Sequence, residues 1–166
     1  MTTEPKIEHR PAQHYAGIRT QIRMEEMAGG VIPQLHDEIL EWLQSQGTGP
    51  SGAPLMRYYV IAMPDYLDIE LAWPVAAPVA GNGRVQPGTL PEGRYASLIY
   101  TDATKGIEGN GVLIGWAEAN GIQWDRWDDE KGDAFRCRYE TYLTGPEDDP
   151  DMTKWETEVA IKLADV

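Results

Sequence analysis

The chain has one cysteine, Cys137, so no disulfide forms within it, and a reducing compartment, the cytoplasm, is the simplest setting. Basic residues are scarce: 14 Lys and Arg stand against 27 Asp and Glu, a formal charge of −13. Such a surface repels a phosphate backbone, which argues against nucleic acid as a partner. Long apolar runs are missing as well. The longest near a strand, Tyr58 to Met63, falls far short of the ~20 residues that span a bilayer, so no membrane partner is expected. Met1 to Lys6 lacks the basic-then-apolar layout of a secretory signal. The three histidines are scattered, no HExxH or CxxC spacing occurs, and the glycines from Gly106 to Gly111 lack the Lys-Ser/Thr ending of a P-loop. No metal and no cofactor is therefore expected. With 166 residues the chain is long enough for one domain with a core of its own.

Phenylalanine is the most telling shortage. One Phe accompanies six Trp and eight Tyr, although Phe fills a dry core without a polar edge to satisfy. Trp and Tyr combine a flat apolar face with a hydrogen-bonding group, which suits a pocket that stacks on planar ligands.

The order of elements repeats. Lys6 to Met24 alternates as strand. Gly30 to Gln46 switches to helical spacing, with Ile32, Leu35, Ile39 and Leu43 on one stripe, Pro33 near the start and Gly47 as the stop. Pro54 to Met63 and Leu67 to Val75 read as a hairpin across Pro64, Asp65 and Tyr66. In the second half, Arg94 to Thr101, Lys105 to Asn120, Asp133 to Thr144 and Lys154 to Ala164 give strand, helix, strand, strand again. Gly106, Gly109, Gly111 and Gly115 each cost up to ~1 kcal/mol of helix propensity, which delays the expected start of the second helix toward Val112. The expectation is one α+β domain over residues 1–166. Repeat one runs from about 6 to 78, a Pro/Gly-rich linker from about 79 to 93, and repeat two from about 94 to 165. A unit of this size cannot cover its own sheet, so the halves pack together, and their seam is where a cleft is expected.

Strand alternation sharpens the candidates. Phe135, Cys137, Tyr139, Thr141 and Leu143 share one face of a strand, and Arg136, Arg138, Glu140 and Tyr142 the other. Trp155 stands where the last strand begins, within reach of a rim.

Arg138-Tyr139-Glu140-Thr141-Tyr142-Leu143, an acidic Gly-Pro loop, and Trp155-Glu156-Thr157-Glu158-Val159-Ala160-Ile161-Lys162-Leu163 resemble the carboxy-terminal signature of the GyrI-like small-molecule-binding family. That family includes effector-binding domains of AraC-type and MerR-type multidrug regulators. Asp68 to Val75 and the helix ending in Glu41-Trp42-Leu43 resemble its first half. The resemblance implies two strand-helix-strand-strand repeats with pseudo-twofold symmetry, forming a curved antiparallel sheet with a central ligand cleft. It implies Glu140 as the pocket's acidic residue and Trp155 as a flanking aromatic, with Tyr58, Trp73, Trp116 and Tyr142 as further ligand-binding candidates. Thr101 to Gly109 departs from the family's aromatic-containing helix start. No helix-turn-helix segment precedes the domain, so a stand-alone form is expected, a monomer or weak homodimer. Its partner would be a small aromatic or cationic molecule.

Two uses of that pocket follow from the resemblance. One is binding alone, as a drug-sequestering or effector-sensing module. The other is hydrolysis of cyclopropane-bearing alkylating natural products, with Glu140 as general base and Tyr142 or Tyr58 donating to the developing phenolate.

Overall fold

The computed structural model describes residues 1–62 and 65–165. The strands are β1 (Lys6–Arg10), β2 (Gln13–Ile22), β3 (Leu55–Ala62), β4 (Tyr66–Pro74), β5 (Gln86–Leu90), β6 (Gly93–Thr101), β7 (Arg126–Asp129), β8 (Gly132–Tyr142) and β9 (Glu156–Lys162). Helix α1 (Val31–Ser45) lies between β2 and β3, and α2 (Gly106–Ala119) between β6 and β7. Of the expected hairpin turn, Met63 and Pro64 lie outside the described residues.

Helix α1 follows its periodicity. Gly30 takes a left-handed φ of 86° at the start, and Gly47 with φ 75° closes the far end, where the Thr48 N–H caps the Leu43 carbonyl at 3.1 Å. Between them Leu35, Ile39 and Leu43 are buried against Ile18, Ile22, Ile69 and Leu71 of the sheet, each full burial contributing roughly 2 kcal/mol. Helix α2 begins at Gly106, not near Val112. Its buried stripe is Gly109, Leu113 and Ala117. Gly109, where a Cβ would lie 2.5 Å from the Tyr100 ring, lets the helix lie close on β6, so tertiary contact overrides local preference.

All strands join one curled antiparallel sheet in the order β1-β6-β9-β8-β3-β4-β2-β5, with β7 added to β8. The order is palindromic about the β8–β3 pair, and so is the register. Ala16 opposite Trp73 in the first half matches Ala96 opposite Ile161 in the second. Arg57 opposite Glu70 matches Thr141 opposite Glu158. Across the centre, Leu55 opposite Thr141 is the counterpart of Tyr139 opposite Arg57. This is the pseudo-twofold of a duplicated α+β unit. The stretch 79–93, expected to be a linker, contains β5, which hydrogen-bonds β2. In the same way β1 completes the edge beside β6, so each half closes the other's sheet with a short strand.

Both helices cover one face. Met56 belongs to the core under α1 and Val159 to the core under α2, and each is directly paired to Glu140, so all three side chains share that face. The opposite face curls into a half-barrel. Arg10 of β1 reaches the Tyr139 hydroxyl of β8 at 2.8 Å, and Arg57 of β3 reaches the Thr89 carbonyl of β5 at 3.1 Å. One strand departs from simple alternation. Between Tyr58 and Val60 the β3–β8 register shifts from Arg138 to Ala134. This bulge turns Phe135 into the core under α2 while Cys137 and Tyr139 stay inside the half-barrel, so Phe135 does not share their face as strict alternation predicts.

Candidate functional site

The central strands β3 and β8 run beneath the gap between the helices, since α1 packs on β2 and β4 and α2 on β6. On the floor of that gap sits Glu140, 5% exposed. Its two carboxylate oxygens accept from different halves: Oε1 from the hydroxyl of Tyr58 on β3, and Oε2 from the hydroxyl of Tyr100 on β6. Both tyrosines are buried. Burial first, and then the adjacent Glu140 carboxylate, push the Tyr58 and Tyr100 phenols well above tyrosine's ordinary pKa. Both therefore remain protonated donors across any physiological pH. Tyr142, two residues beyond Glu140 on the same face, has its phenol raised by burial, Glu140 and Tyr100 in that order.

Arg138, two residues before Glu140, completes the row. It donates to Asn110 Oδ1 on α2 at 2.8 Å, while its Nε is buried without a partner among the described residues. Burial lowers this guanidinium's pKa against the opposing pull of Tyr58, Glu140 and Asp133. The gap thus offers an anionic floor with two hydroxyl donors and one underused N–H. A carboxylate so placed can attract a cation or take a proton from water, while the two hydroxyl protons are already committed to it. Among the described residues no cluster of His, Cys, Asp or Glu suited to a metal occurs, and no helix is long and apolar enough to cross a membrane.

The sequence candidates separate. Glu140 and Tyr58 meet directly. Tyr142 packs against the α1 core, with its ring edge-on to His36 at 6.0 Å, and makes no hydrogen bond to Glu140 among the described residues. Trp73 lies on the other side of that histidine: its ring is 6.0 Å from His36, and its Nε1 donates to the His36 carbonyl at 2.8 Å. Trp73, His36 and Tyr142 thus form a continuous wall. Trp155 is half-buried and stands two residues before Thr157, which pairs with both Tyr100 and Tyr142. Its Nε1 is fixed to the Asp149 carbonyl at 2.7 Å, and its own carbonyl accepts from Asp102 N at 2.9 Å. Asp102 takes φ 90°, uncommon for a residue with a Cβ, and is held by this bond and by capping Thr104 N. Trp116 is not brought to the carboxylate. It packs on the core under α2 near Ile122 and Trp124, about 10 Å along the helix axis from the turn at Gly109 that covers Tyr100.

Sequence reasoning missed Tyr100 and His36. The signal for Tyr100 was available, since Ala96, Leu98 and Tyr100 alternate onto the buried face of β6. Nothing local revealed that this face meets Glu140.

The family described as the GyrI-like small molecule binding domain matches residues 3–164. No curated protein sequence matches the chain. Among solved structures, EcmrR in its DNA complex is similar with a TM-score of 0.73 at 16% identity, over 98% of this chain and 58% of that one. SAV2435 bound to tetraphenylphosphonium gives 0.66 at 12% identity, covering 98% and 94%. A hydrolase from Listeria innocua gives 0.65 at 13% identity, covering 97% and 92%. At these identities the likeness is one of fold.

Proposed function

Because the chain belongs to the GyrI-like small-molecule-binding family, we propose that it binds aromatic cations in the gap between its helices, with Glu140 as the counter-charge. One observation carries this reading: a single buried carboxylate held between two tyrosines from different halves of the fold. A hydrated anion on a surface discriminates little, whereas a desolvated one favours a cation that sheds its own water easily, and large aromatic cations do. The faces of Tyr58, Tyr100, Tyr142 and Trp155 would supply the stacking surface. That the similar SAV2435 structure holds tetraphenylphosphonium supports the ligand class. All these groups come from one chain, so a monomer suffices. The buried Cys137 thiol fits a cytoplasmic setting.

A second reading uses the same atoms for chemistry and is favoured by the hydroxyl donors beside the carboxylate, and by the likeness to a protein named a hydrolase. Glu140 takes a proton from water as its oxygen attacks the strained cyclopropane carbon of an alkylating substrate. The ring C–C bond breaks, its electrons reach the conjugated carbonyl oxygen, and the Tyr142 O–H, the one not donated to Glu140, supports the resulting phenolate, which then takes up the proton that Glu140 removed from water.

The test is tryptophan-fluorescence titration of the whole protein and its Glu140→Gln variant with tetraphenylphosphonium and with neutral triphenylphosphine oxide. Binding of the cation should weaken by ~10-fold or more and of the oxide by no more than ~3-fold. Equal weakening of both, or no binding of the cation to the wild type, refutes the first reading. Ring-opened product from a cyclopropane-bearing substrate no faster than in buffer refutes the second.

A further inference from the structure

The duplicated fold has two axial surfaces, and Glu140 occupies only one. On the other, inside the half-barrel, lies a cavity of about 270 Å³. It sits on the pseudo-twofold axis. The corner at Pro11 and the corner at Pro91 are counterparts, and so are Leu55 and Tyr139; all four line it. Its floor is the β3–β8 ladder, one sheet thickness from the Glu140 gap, because Leu55 and Thr141 are paired on this face and Met56 and Glu140 on the other.

The charges around the cavity are already matched. Arg10 lines it, yet its guanidinium is shared between Glu8 at 2.9 Å, Glu158 at 3.0 Å, the Tyr139 oxygen at 2.8 Å and Ser97 at 3.2 Å. An anion would find no free donor there. A cation would meet Arg10 itself, which lies over the Tyr95 ring at 5.8 Å. Tyr95 is committed too, donating to the Pro91 carbonyl at 2.7 Å. Two donors remain. The Tyr139 oxygen accepts from Arg10, but its own O–H has no acceptor, and the Thr141 hydroxyl has no partner of either kind, among the described residues. Gln13 also lines the cavity, but its amide N–H groups are given to the His14 and Val75 carbonyls at 2.9 and 3.1 Å, and the rest of the lining is leucine, proline and Ala53. Apolar walls with a few convergent polar groups are what small-molecule sites present.

We propose that this cavity is a second binding site, distinct from the Glu140 gap, for a small neutral ring that carries a carbonyl-type hydrogen-bond acceptor. The apolar walls take the ring, and Thr141 and Tyr139 donate to the acceptor. Nothing in the site rewards net charge, so its ligands differ in class from those proposed for the opposite face.

The test is an amide-resolved NMR titration of the whole protein with acetophenone as the probe, and with ethylbenzene as a control of similar shape that lacks the acceptor. Saturable shifts should map to Leu55, Leu90, Tyr139 and Thr141. Acetophenone should bind about five-fold tighter than ethylbenzene, the worth of one neutral hydrogen bond. Thr141→Val, which keeps the shape, should cut that preference by at least half. Ala53→Trp, which fills the cavity from its rim, should abolish the shifts. If that variant fails to fold, the wild-type shift map alone decides. Shifts confined to residues around Glu140, none that saturate, or equal affinity for the two probes overturns the proposal.

Discussion

Helix α2 allows one substitution to be compared with itself in three settings. An ideal Cβ built on Gly109 would lie 2.5 Å from Tyr100 Cδ1, 2.6 Å from Cγ and 2.9 Å from Cβ, whereas the same atom on Gly111 or Gly115 meets nothing within 4 Å. Ordinary contact begins near 3.4 Å, so Gly109→Ala demands a displacement of about 0.9 Å (3.4 minus 2.5) between the helix and the tyrosine ring. The ring cannot move freely, because its hydroxyl is bonded to Glu140 and it is 4% exposed. Overpacking of this kind costs roughly 1–3 kcal/mol, and a strained bond to a carboxylate roughly another 1–2 kcal/mol. The gain in helix propensity is only ~1 kcal/mol. Gly109→Ala should therefore destabilise by about 2 kcal/mol, while Gly111→Ala and Gly115→Ala each stabilise by about 0.5–1 kcal/mol.

Urea unfolding followed by tryptophan fluorescence measures this, provided the slope is the same in all three variants. The site adds an independent readout. Because the ring that must move is the one that holds Glu140, Gly109→Ala should also weaken tetraphenylphosphonium, and the other two alanines should not. If all three alanines stabilise alike, Tyr100 does not lie beneath α2, and the account of the site fails with it.

His36 is buried with Nε2 2.9 Å from the Leu55 carbonyl, and burial lowers its pKa. Its contribution is thus full above about pH 6.5, the unfolded value, and is lost as pH falls toward the lower folded value; His36→Gln should flatten the stability profile between pH 7 and 5. Glu70, inside the half-barrel, accepts from the hydroxyls of Tyr15 and Tyr59, so Glu70→Ala should cost roughly 3 kcal/mol or more in chemical denaturation, while Glu38→Ala at the exposed Arg84 pair should change stability little. Trp155→Ala should weaken an aromatic cation by ~10-fold or more while lowering stability less than Glu70→Ala does; a large stability loss with unchanged affinity would make Trp155 a structural staple.

Much of this fold was legible because it rests on period. The stripe Leu35, Ile39 and Leu43 announced α1, and the repeated order of elements announced the duplication. What escaped were positions where contact overrides local preference. Strand β5 is Gln-Pro-Gly-Thr-Leu, a sequence that discourages a strand, and it survives as an edge strand, where Pro87 need not serve a second neighbour. The four glycines of α2 argued for a late start, yet Gly109 is required where the helix crosses Tyr100. The bulge in β8 is invisible to alternation, and it put Phe135 on the wrong face. At the site, period two placed Glu140 and Tyr142 together, but Glu140's partners stand 82 and 40 residues away. Those distances are closed by sheet order, which no local pattern encodes.

The duplication explains why a carboxylate at the centre of the fold is tolerated at all. The paired register makes Met56 the counterpart of Glu140, Tyr58 that of Tyr142, and Thr20 that of Tyr100. Met56 and Glu140 are also directly opposite each other across the β3–β8 ladder. A symmetric pair of glutamates there would bring two buried carboxylates within about 5 Å between Cβ atoms, and one of them would have to hold its proton. With methionine on one strand the floor carries a single anion, bordered by a soft apolar side chain. Tyr100 serves this one carboxylate alone, because its counterpart Thr20 cannot reach across as a phenol does. The symmetric frame supplies the gap between two helices, and the broken symmetry within it supplies one charge and the two donors that hold it.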